Sequence, residues 1–206
     1  MAILLEHQNI LFIGVPGAAS TSIGTSLQAL PGAKWLAPKH TTVNTLLSEN
    51  ILTRESLNGL ITICIVRNPF DLIHAEWHRS RTRWILEMED INSVGSWPVE
   101  KRQQIQMSAD LDFSTFIKAY YGIFFVERKG LSIFKQYTKG ASPIFRYENL
   151  SELVSWFKEK QGILLSLEVS NKTDGRIDYR KDYDSIARDV VAAVFDEDIK
   201  DYSYEF

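Results

Sequence analysis

The sequence has almost no cysteine and no long apolar run. Cys64 is the single cysteine among 206 residues, so no disulfide can form within the chain. It lies in the apolar stretch ITICIV, where we expect a buried thiol that acts as a small hydrophobe. No apolar run approaches the ~20 residues needed to span a bilayer. The first ten residues also lack the basic segment and the small-residue cleavage site of a signal peptide, so we expect a cytoplasmic protein.

An excess of positive charge is also missing. The 23 Lys and Arg residues face 26 Asp and Glu residues, which gives a net charge of −3. Nucleic-acid binding usually needs a basic face, so we expect no nucleic acid as a partner. We also expect no membrane as a partner, because no apolar run is long enough to span one. Hydrophobic residues make up 45% of the chain, enough for a full core. Without repeats or a low-complexity linker, residues 1–206 are expected to form a single domain.

Buried strands alternate with helices along the chain, which predicts an α/β fold with a central parallel β-sheet flanked by helices. Residues 9–15 and 60–66 are apolar runs without alternation, typical of parallel strands covered on both faces. A third strand is expected over 143–147. Helices are predicted over 20–30, 41–49, 69–88, 112–137, 149–160 and 183–195. The polar stretches 91–110 and 170–182 are predicted to be a surface excursion and a loop.

A strand, a tight turn and a hydroxyl-rich helix start follow one another in ILFIGVPGAASTSI, residues 10–23. This P-loop-like strand–loop–helix order leaves backbone N–H groups and a helix dipole for an anion. Ser20, Thr21 and Ser22 add hydroxyl donors. The nucleoside-triphosphatase pattern fails, because Ala19 and Ser20 stand where it needs Gly and Lys. Two interpretations remain: a phosphate-binding loop, or a tight turn capped by Ser and Thr.

Arg67 comes directly after the second predicted strand. Ligands of open α/β sheets bind at the carboxyl ends of the strands, where a guanidinium suits bidentate phosphate recognition. The alternative is a local pair with a carboxylate such as Asp71. Asn68 can cap the helix that follows, and Pro69 suits its first position.

These segments, taken in order, resemble sulfotransferases that use 3′-phosphoadenosine 5′-phosphosulfate (PAPS). The closer likeness is to the carbohydrate-type, Golgi-like branch and its small bacterial relatives. FIGVPGAASTSI resembles the family's 5′-phosphosulfate loop, and IVRNPFDLIHAEW resembles its 3′-phosphate segment. PKHTTVNTLL, FRYENL, NKT, DYRKDYD and FDEDIKDYSYEF extend the likeness over nearly the whole chain.

The resemblance implies a transfer of the sulfuryl group from PAPS to a hydroxyl or amine, leaving adenosine 3′,5′-bisphosphate, with no metal. It implies that the loop holds the phosphosulfate, that Arg67 holds the 3′-phosphate, and that Lys172 and Arg176 close over the nucleotide. The loop residues so assigned are Gly17, Ala18, Ala19, Ser20, Thr21 and Ser22. The alternative is that Lys172 and Arg176 are solvent-exposed charges of a loop and bind nothing.

Two positions depart from the family pattern. Gly17 stands where the family has a lysine that assists the leaving group, and Ala75 stands where a serine helps to bind the 3′-phosphate. Lys39 is our candidate for the missing charge, and His40 is the candidate general base, because an unperturbed imidazole has a pKa near neutrality. The alternative is that Lys39 and His40 are exposed surface residues without a catalytic role.

His74 and His78 are rival candidates for the base, since they lie four residues apart on one helix face. They do not form a zinc motif, because Glu76 is not the residue directly after the first histidine and no third ligand is evident. We expect no metal site.

The acceptor is expected to be a small neutral or cationic metabolite. Trp35, Trp77 and Trp84 offer flat apolar surface, and the acidic run 87–90 follows the long helix. Alternatively, Trp77 and Trp84 face the core from that helix, and the acidic run is a solvated helix end. Two alternatives stay open: a catalytically impaired homologue that only binds the nucleotide, and a sulfotransferase acting on a carbohydrate. The sequence sets no oligomeric state.

Overall fold

The computed structural model describes residues 1–38, 41–89, 97–122, 132–167 and 178–206. These residues form two compact units, each built from two stretches of the chain. Unit 1 comprises residues 1–67 and 134–172, and unit 2 comprises residues 68–133 and 173–206, each within the described ranges.

Unit 1 contains one sheet, which has five strands within the described residues. Its strands are β1 (Ala2–Leu5), β2 (Ile10–Ile13), β3 (Ala33–Ala37), β4 (Ile61–Val66) and β5 (Ile144–Arg146). They lie in the order β3-β1-β2-β4-β5. β2 pairs in parallel with β4, and β4 pairs in parallel with β5, whereas β1 is antiparallel to both β2 and β3. The α/β expectation is confirmed, and the sheet is mixed because of β1.

The parallel strands β2 and β4 are buried along almost their whole length. Ile10 pairs with Ile61, and Ile13 pairs with Cys64. All four residues of β2 are buried, as are the last five of β4, so both strands are covered on both faces. This burial is the reason that these strands show no alternation of polar and apolar residues.

Helices α1 (Ser20–Gln28), α2 (Val43–Ser48) and α3 (Arg54–Asn58) belong to unit 1, as do Lys135–Thr138 and Leu150–Gln161. The predicted helices over 20–30, 41–49 and 149–160 are therefore confirmed within two residues. Gly24 lets α1 lie close to β1: a Cβ on Gly24 would come 2.5 Å from Sδ of Met1 and 3.4 Å from Cδ1 of Ile3.

Unit 2 is helical within its described residues. Its helices are α4 (Pro69–Arg79), Ile85–Glu89, Val99–Asp110, Phe113–Phe116, Ser185–Val194 and Asp196–Asp201, with π-helical turns at Ser80–Trp84 and Ile117–Tyr121 and a 3₁₀ turn at Tyr179–Asp182. The chain is thus helical from Pro69 to Glu89, as predicted, with the π turn in its middle. The helix Val99–Asp110 contradicts the predicted surface excursion over 91–110. The short helix Asp196–Asp201 was not predicted.

The core of unit 2 is rich in aromatic residues. Phe70 and Ile73 of α4 are buried in it, and Trp77 packs against it. Phe70, Ile73 and Trp77 thus form an apolar stripe that faces this core. Trp84 is the last residue of the π turn and is half-buried. Its ring centroid lies 6.1 Å from that of Trp97. A π turn widens the helix and shifts the residues beyond it around the axis, which accounts for the end of the stripe.

Candidate functional site

Three neighbouring parallel strands of unit 1 end at one edge of the sheet. β2, β4 and β5 lie side by side and run in the same direction, so their carboxyl ends share that edge. The loop 14–19 follows β2, Arg67 follows β4, and Tyr147 follows β5. This is the edge at which open α/β sheets bind their ligands.

The loop 14–19 is held in an unusual backbone conformation. Gly17 and Ala19 both have positive φ angles, 75° and 55°, and alanine rarely adopts that region. Gly14 has no space for a side chain, because a Cβ there would come 2.7 Å from Cγ of Met1 and 3.0 Å from Cβ of Ser20. Its N–H donates to the carbonyl of Met1 at 2.8 Å. Met1, the residue before β1, therefore anchors the start of the loop.

The loop passes into α1 without a side-chain cap. Ala19 is the N-cap, and an alanine side chain has no acceptor for the first helical N–H groups. The N–H of Ile23 donates to the carbonyl of Ala19 at 3.1 Å, which begins the helical ladder. An uncapped helix start directs its first N–H groups and the positive end of its dipole at whatever lies before it.

Three hydroxyl residues form the first turn of α1. Ser20 and Ser22 are half-buried, and Thr21 is exposed. The carbonyls of Thr21 and Ser22 accept bonds from the hydroxyls of Thr25 and Ser26 one turn later. The sequence prediction placed Ser20, Thr21 and Ser22 at a helix start, and the structure confirms that position.

Arg67 lies against the loop that follows the neighbouring strand. Its Nη1 donates to the carbonyl oxygen of Gly17 at 2.9 Å, across 50 residues of sequence. The residue is only 4% exposed. The two segments that the sequence singled out for anion binding therefore meet through a direct hydrogen bond.

Tyr147 is the residue of this site that the sequence analysis did not single out. Its ring lies 4.2 Å from the guanidinium carbon of Arg67, a cation–π contact. The signal was available in the sequence, because Tyr147 ends the third predicted strand just as Arg67 follows the second.

Four predicted site residues lie outside the described residues: Lys39, His40, Lys172 and Arg176. Their roles remain predictions. Ala75 is buried on α4, at 5% exposure. Of the three tryptophans predicted to line an acceptor site, Trp35 is 46% exposed on the edge strand β3, and Trp77 and Trp84 are half-buried in unit 2.

The histidines of α4 belong to unit 2 and differ in their surroundings. Nε2 of His74 lies 2.7 Å from Oδ2 of Asp182, and His74 is 2% exposed. His78 is half-buried; burial lowers its pKa, and the charges of His74 and Arg81 act in the same direction. Across the described parts of the chain, no three His, Cys, Asp or Glu side chains gather into a metal-binding group.

Cys64 lies within β4, in the sheet that carries the candidate site. It is fully buried, its Sγ donates to the carbonyl of Tyr137 at 3.1 Å, and burial raises the pKa of the thiol to about 12. The prediction that it acts as a buried small hydrophobe is confirmed. A thiol with such a pKa is protonated near neutral pH and is a poor nucleophile.

Comparison of the chain with family models, with curated proteins and with solved structures gave no match. Within the described residues, no helix has both the length and the apolar character that a membrane crossing needs. The function therefore has to be argued from the chemistry of the site.

Proposed function

We propose that the chain is a sulfotransferase that moves the sulfuryl group of PAPS to a hydroxyl or amine of a small metabolite. The observation that carries the proposal is the hydrogen bond from Arg67 to the carbonyl of Gly17. It joins a guanidinium, the strongest phosphate-binding side chain, to a loop that ends in an uncapped helix start.

The donors at this edge match a doubly anionic ligand. The first N–H groups of α1 and the hydroxyls of Ser20, Thr21 and Ser22 suit a phosphosulfate, which offers only acceptor oxygens. Arg67 adds a full positive charge from the next strand. The small side chains of Gly17 and Ala18 allow the backbone to approach such a ligand closely.

Catalysis of sulfuryl transfer depends on positioning the reactants and stabilising the developing charge more than on a covalent intermediate with the protein. The acceptor oxygen or nitrogen forms a bond to sulfur, and the bond from sulfur to the bridging oxygen breaks. The electron pair of that bond stays on the 5′-phosphate, and the proton of the acceptor passes to a base. Donors fixed where charge develops supply most of the stabilisation in reactions of this kind, by analogy with phosphoryl transfer.

The remaining roles are proposed on the resemblance of the sequence. His40 would take the proton of the acceptor, Lys39 would add charge near the leaving group, and Lys172 and Arg176 would close over the nucleotide. No metal ion is required for this chemistry. We propose a neutral or cationic small acceptor and a cytoplasmic protein, as the composition suggests.

Titration calorimetry with adenosine 3′,5′-bisphosphate tests the nucleotide site. We expect wild type to bind, and Arg67→Ala to lose about 2–4 kcal/mol of binding free energy, the scale for a charge-assisted contact in a buried site. Arg54→Ala is the matched control, since Arg54 is an exposed arginine of the same unit. If both variants bound the bisphosphate as tightly as wild type, the proposed role of Arg67 in nucleotide binding would be wrong.

Transfer of labelled sulfate from PAPS to a panel of small alcohols, amines and sugars tests the reaction itself. Product on a small alcohol or amine supports the proposal. Product on sugars alone favours the carbohydrate sulfotransferase. Nucleotide binding without product on any acceptor favours an impaired homologue, and absence of nucleotide binding rejects the whole family of proposals.

A further inference from the structure

The ring of Trp84 in unit 2 is in contact with two cations. Nζ of Lys101 lies 4.2 Å from the ring centroid, and the guanidinium carbon of Arg79 lies 5.3 Å from it. The ring of Trp97 is a further neighbour, with 6.1 Å between the centroids. The sequence analysis offered Trp84 to a neutral or cationic acceptor. Because two cations already lie against its ring, a cationic ligand would be repelled from it.

Lys101 is a half-buried lysine in the first turn of the helix Val99–Asp110. Across the described parts of the chain, none of the ion pairs includes Lys101. Its Nζ instead donates to a neutral group, Oε1 of Gln104, at 2.7 Å. Burial lowers the pKa of Lys101, the charge of Glu76 raises it, and the charge of Arg79 lowers it. A partly buried cation without a paired anion is unfavourable, so an anion bound beside Nζ would stabilise it.

Gln104 adds further N–H donors one turn along the same helix. A lysine can only donate, so we assign Oε1 of Gln104 as the atom that faces Nζ of Lys101, and Nε2 as the amide nitrogen with two N–H donors. Gln104 is 5% exposed, and Nε2 donates to no described residue. Residues three apart lie on one helix face. Lys101 and Gln104 therefore present one positive charge and several N–H donors, and the amide oxygen already accepts from the lysine.

We infer that Lys101 and Gln104 form a binding site for the carboxylate of a small organic acid, with the ring of Trp84 as its apolar wall. A carboxylate offers negative charge and only acceptor oxygens, which complements a positively charged cluster of donors. The neighbouring rings of Trp84 and Trp97 favour an acid with an apolar body over an inorganic anion. The inference goes beyond the proposed function and does not depend on it, because all four residues belong to unit 2 and none is assigned to PAPS.

Titration of the full chain with benzoate, followed by the indole N–H signal of Trp84 in NMR spectra at constant ionic strength, tests the site. We expect saturable binding of benzoate. Benzamide lacks the charge and inorganic sulfate lacks the apolar body, so each should bind at least about tenfold more weakly. Equal binding of benzamide or of sulfate overturns the inference. So does the absence of any benzoate binding at about 20 mM, where even a millimolar site is nearly saturated.

Four variants assign the binding to particular side chains. Lys101→Gln removes the charge and should weaken benzoate by about tenfold or more, whereas Lys101→Arg keeps the charge and should stay within about threefold of wild type. Gln104→Glu replaces the donor amide with a carboxylate beside Lys101 and should abolish measurable binding. Arg102→Gln is the matched control, since Arg102 is an exposed cation of the same helix. An equal loss in Lys101→Gln and Arg102→Gln would show general attraction to positive charge and overturns the site.

A purely structural role for Lys101 gives a different pattern. Lys101→Met removes an unpaired, partly buried charge, so we expect a urea midpoint no lower than that of wild type, together with loss of benzoate binding. A lowered midpoint with benzoate affinity retained overturns the inference. The pKa of Lys101, measured by NMR of its side chain, should rise when benzoate binds, because a nearby anion favours the charged form. Bound benzoate that leaves this pKa unchanged excludes contact with Nζ.

Competition with the nucleotide separates this inference from the proposed function. Adenosine 3′,5′-bisphosphate is itself an anion, so it is added at saturation to protein that holds benzoate. We expect benzoate to stay bound. Displacement of benzoate, with a matching loss of nucleotide affinity in Lys101→Gln, would assign the cluster to the nucleotide and overturns the inference. Failure of wild type to bind the nucleotide, with benzoate binding intact, rejects the proposed function and supports the carboxylate site alone.

Discussion

Nε2 of His74 lies 2.7 Å from Oδ2 of Asp182, across 108 residues of sequence. The imidazole is buried, whereas the side chain of Asp182 is 38% exposed. The ring also packs edge-on against Phe113, with 4.9 Å between the centroids. The contact ties the 3₁₀ turn Tyr179–Asp182 to α4 within unit 2.

Removal of the acceptor from this pair is expected to destabilise the protein. Asp182→Ala leaves a buried ring nitrogen of His74 without its partner, which costs about 1–3 kcal/mol. Asp182→Asn keeps an oxygen that can accept from the ring and should lose less. Urea unfolding followed by circular dichroism measures both. Equal losses in the two variants would show that the carboxylate charge, and not the hydrogen bond, is what matters.

Glycine should stabilise the loop at position 19. Ala19 has a φ of 55°, where a Cβ costs about 1 kcal/mol, so we expect Ala19→Gly to raise the free energy of unfolding by up to that amount. Ala18→Gly is the matched control, because Ala18 is buried and does not have a positive φ. Removal of its buried methyl group should lower the free energy of unfolding by about 1 kcal/mol. If both substitutions destabilise alike, the loop conformation described above is wrong.

The thiol of Cys64 should be inert in the folded protein. Burial raises its pKa from 9.0 to about 12, which lowers the thiolate fraction at pH 8 by about a thousandfold. We expect a disulfide reagent to label native protein at pH 8 at least that much more slowly than urea-unfolded protein. Rapid stoichiometric labelling of the native state would contradict the buried position.

Asp184 should stabilise the protein in a pH-dependent way. Its bonds to the Lys118 side chain and to the N–H of Ala187 lower the pKa of the carboxyl. A lowered pKa means that the stabilisation is present above the ordinary pKa near 4 and is lost as the pH falls through the folded-state value.

We therefore expect Asp184→Ala to lower the urea midpoint at pH 7 and to differ much less from wild type at pH 3. Asp184→Asn retains the cap of the helix Ser185–Val194 and should lie between the two at pH 7. A difference between Asp184→Ala and wild type that does not change with pH would exclude a charged carboxylate as its source.

The strands and helices that carry the site could be predicted because their signals are local. β2 and β4 are buried apolar runs, and the start of α4 has both Asn68 as cap and Pro69 at the first position. The side chain of Asn68 accepts from the N–H of Phe70 at 3.1 Å, as a cap should. The order of these elements placed the loop and Arg67 at strand ends.

Some of the elements that were missed lack such signals, and others had them. β3 shows no regular alternation, because Lys34 and Trp35 are both exposed, whereas β1 is an apolar run of the same length as β2 and α3 begins with a capping box, so both of these had local signals that were overlooked. The helix Val99–Asp110 is mostly polar and buries only Gln104, Ile105 and Ser108. Its apolar face is therefore too narrow to produce a helical periodicity in the sequence.

The contacts of Arg67 could not be derived from the sequence at all. That Arg67 and the loop would lie at one edge follows from parallel pairing. The bond to Gly17 and the contact with Tyr147 depend on the rotamer of a long side chain and on the placement of β5 beside β4. Neither the rotamer of Arg67 nor the position of β5 produces a periodic pattern in the sequence.

The discontinuity of unit 1 has a consequence for how the protein is made. Residues 1–67 leave the ribosome first, and β4 then waits for its neighbour β5 until residues 144–146 have been synthesised. During that interval one edge of β4 exposes backbone groups with no strand to pair them. Arg67 likewise acquires its aromatic neighbour only after most of the chain has been translated. This edge of the sheet therefore forms late in synthesis, which leaves the unfinished sheet open to chaperones or to incorrect pairing before then.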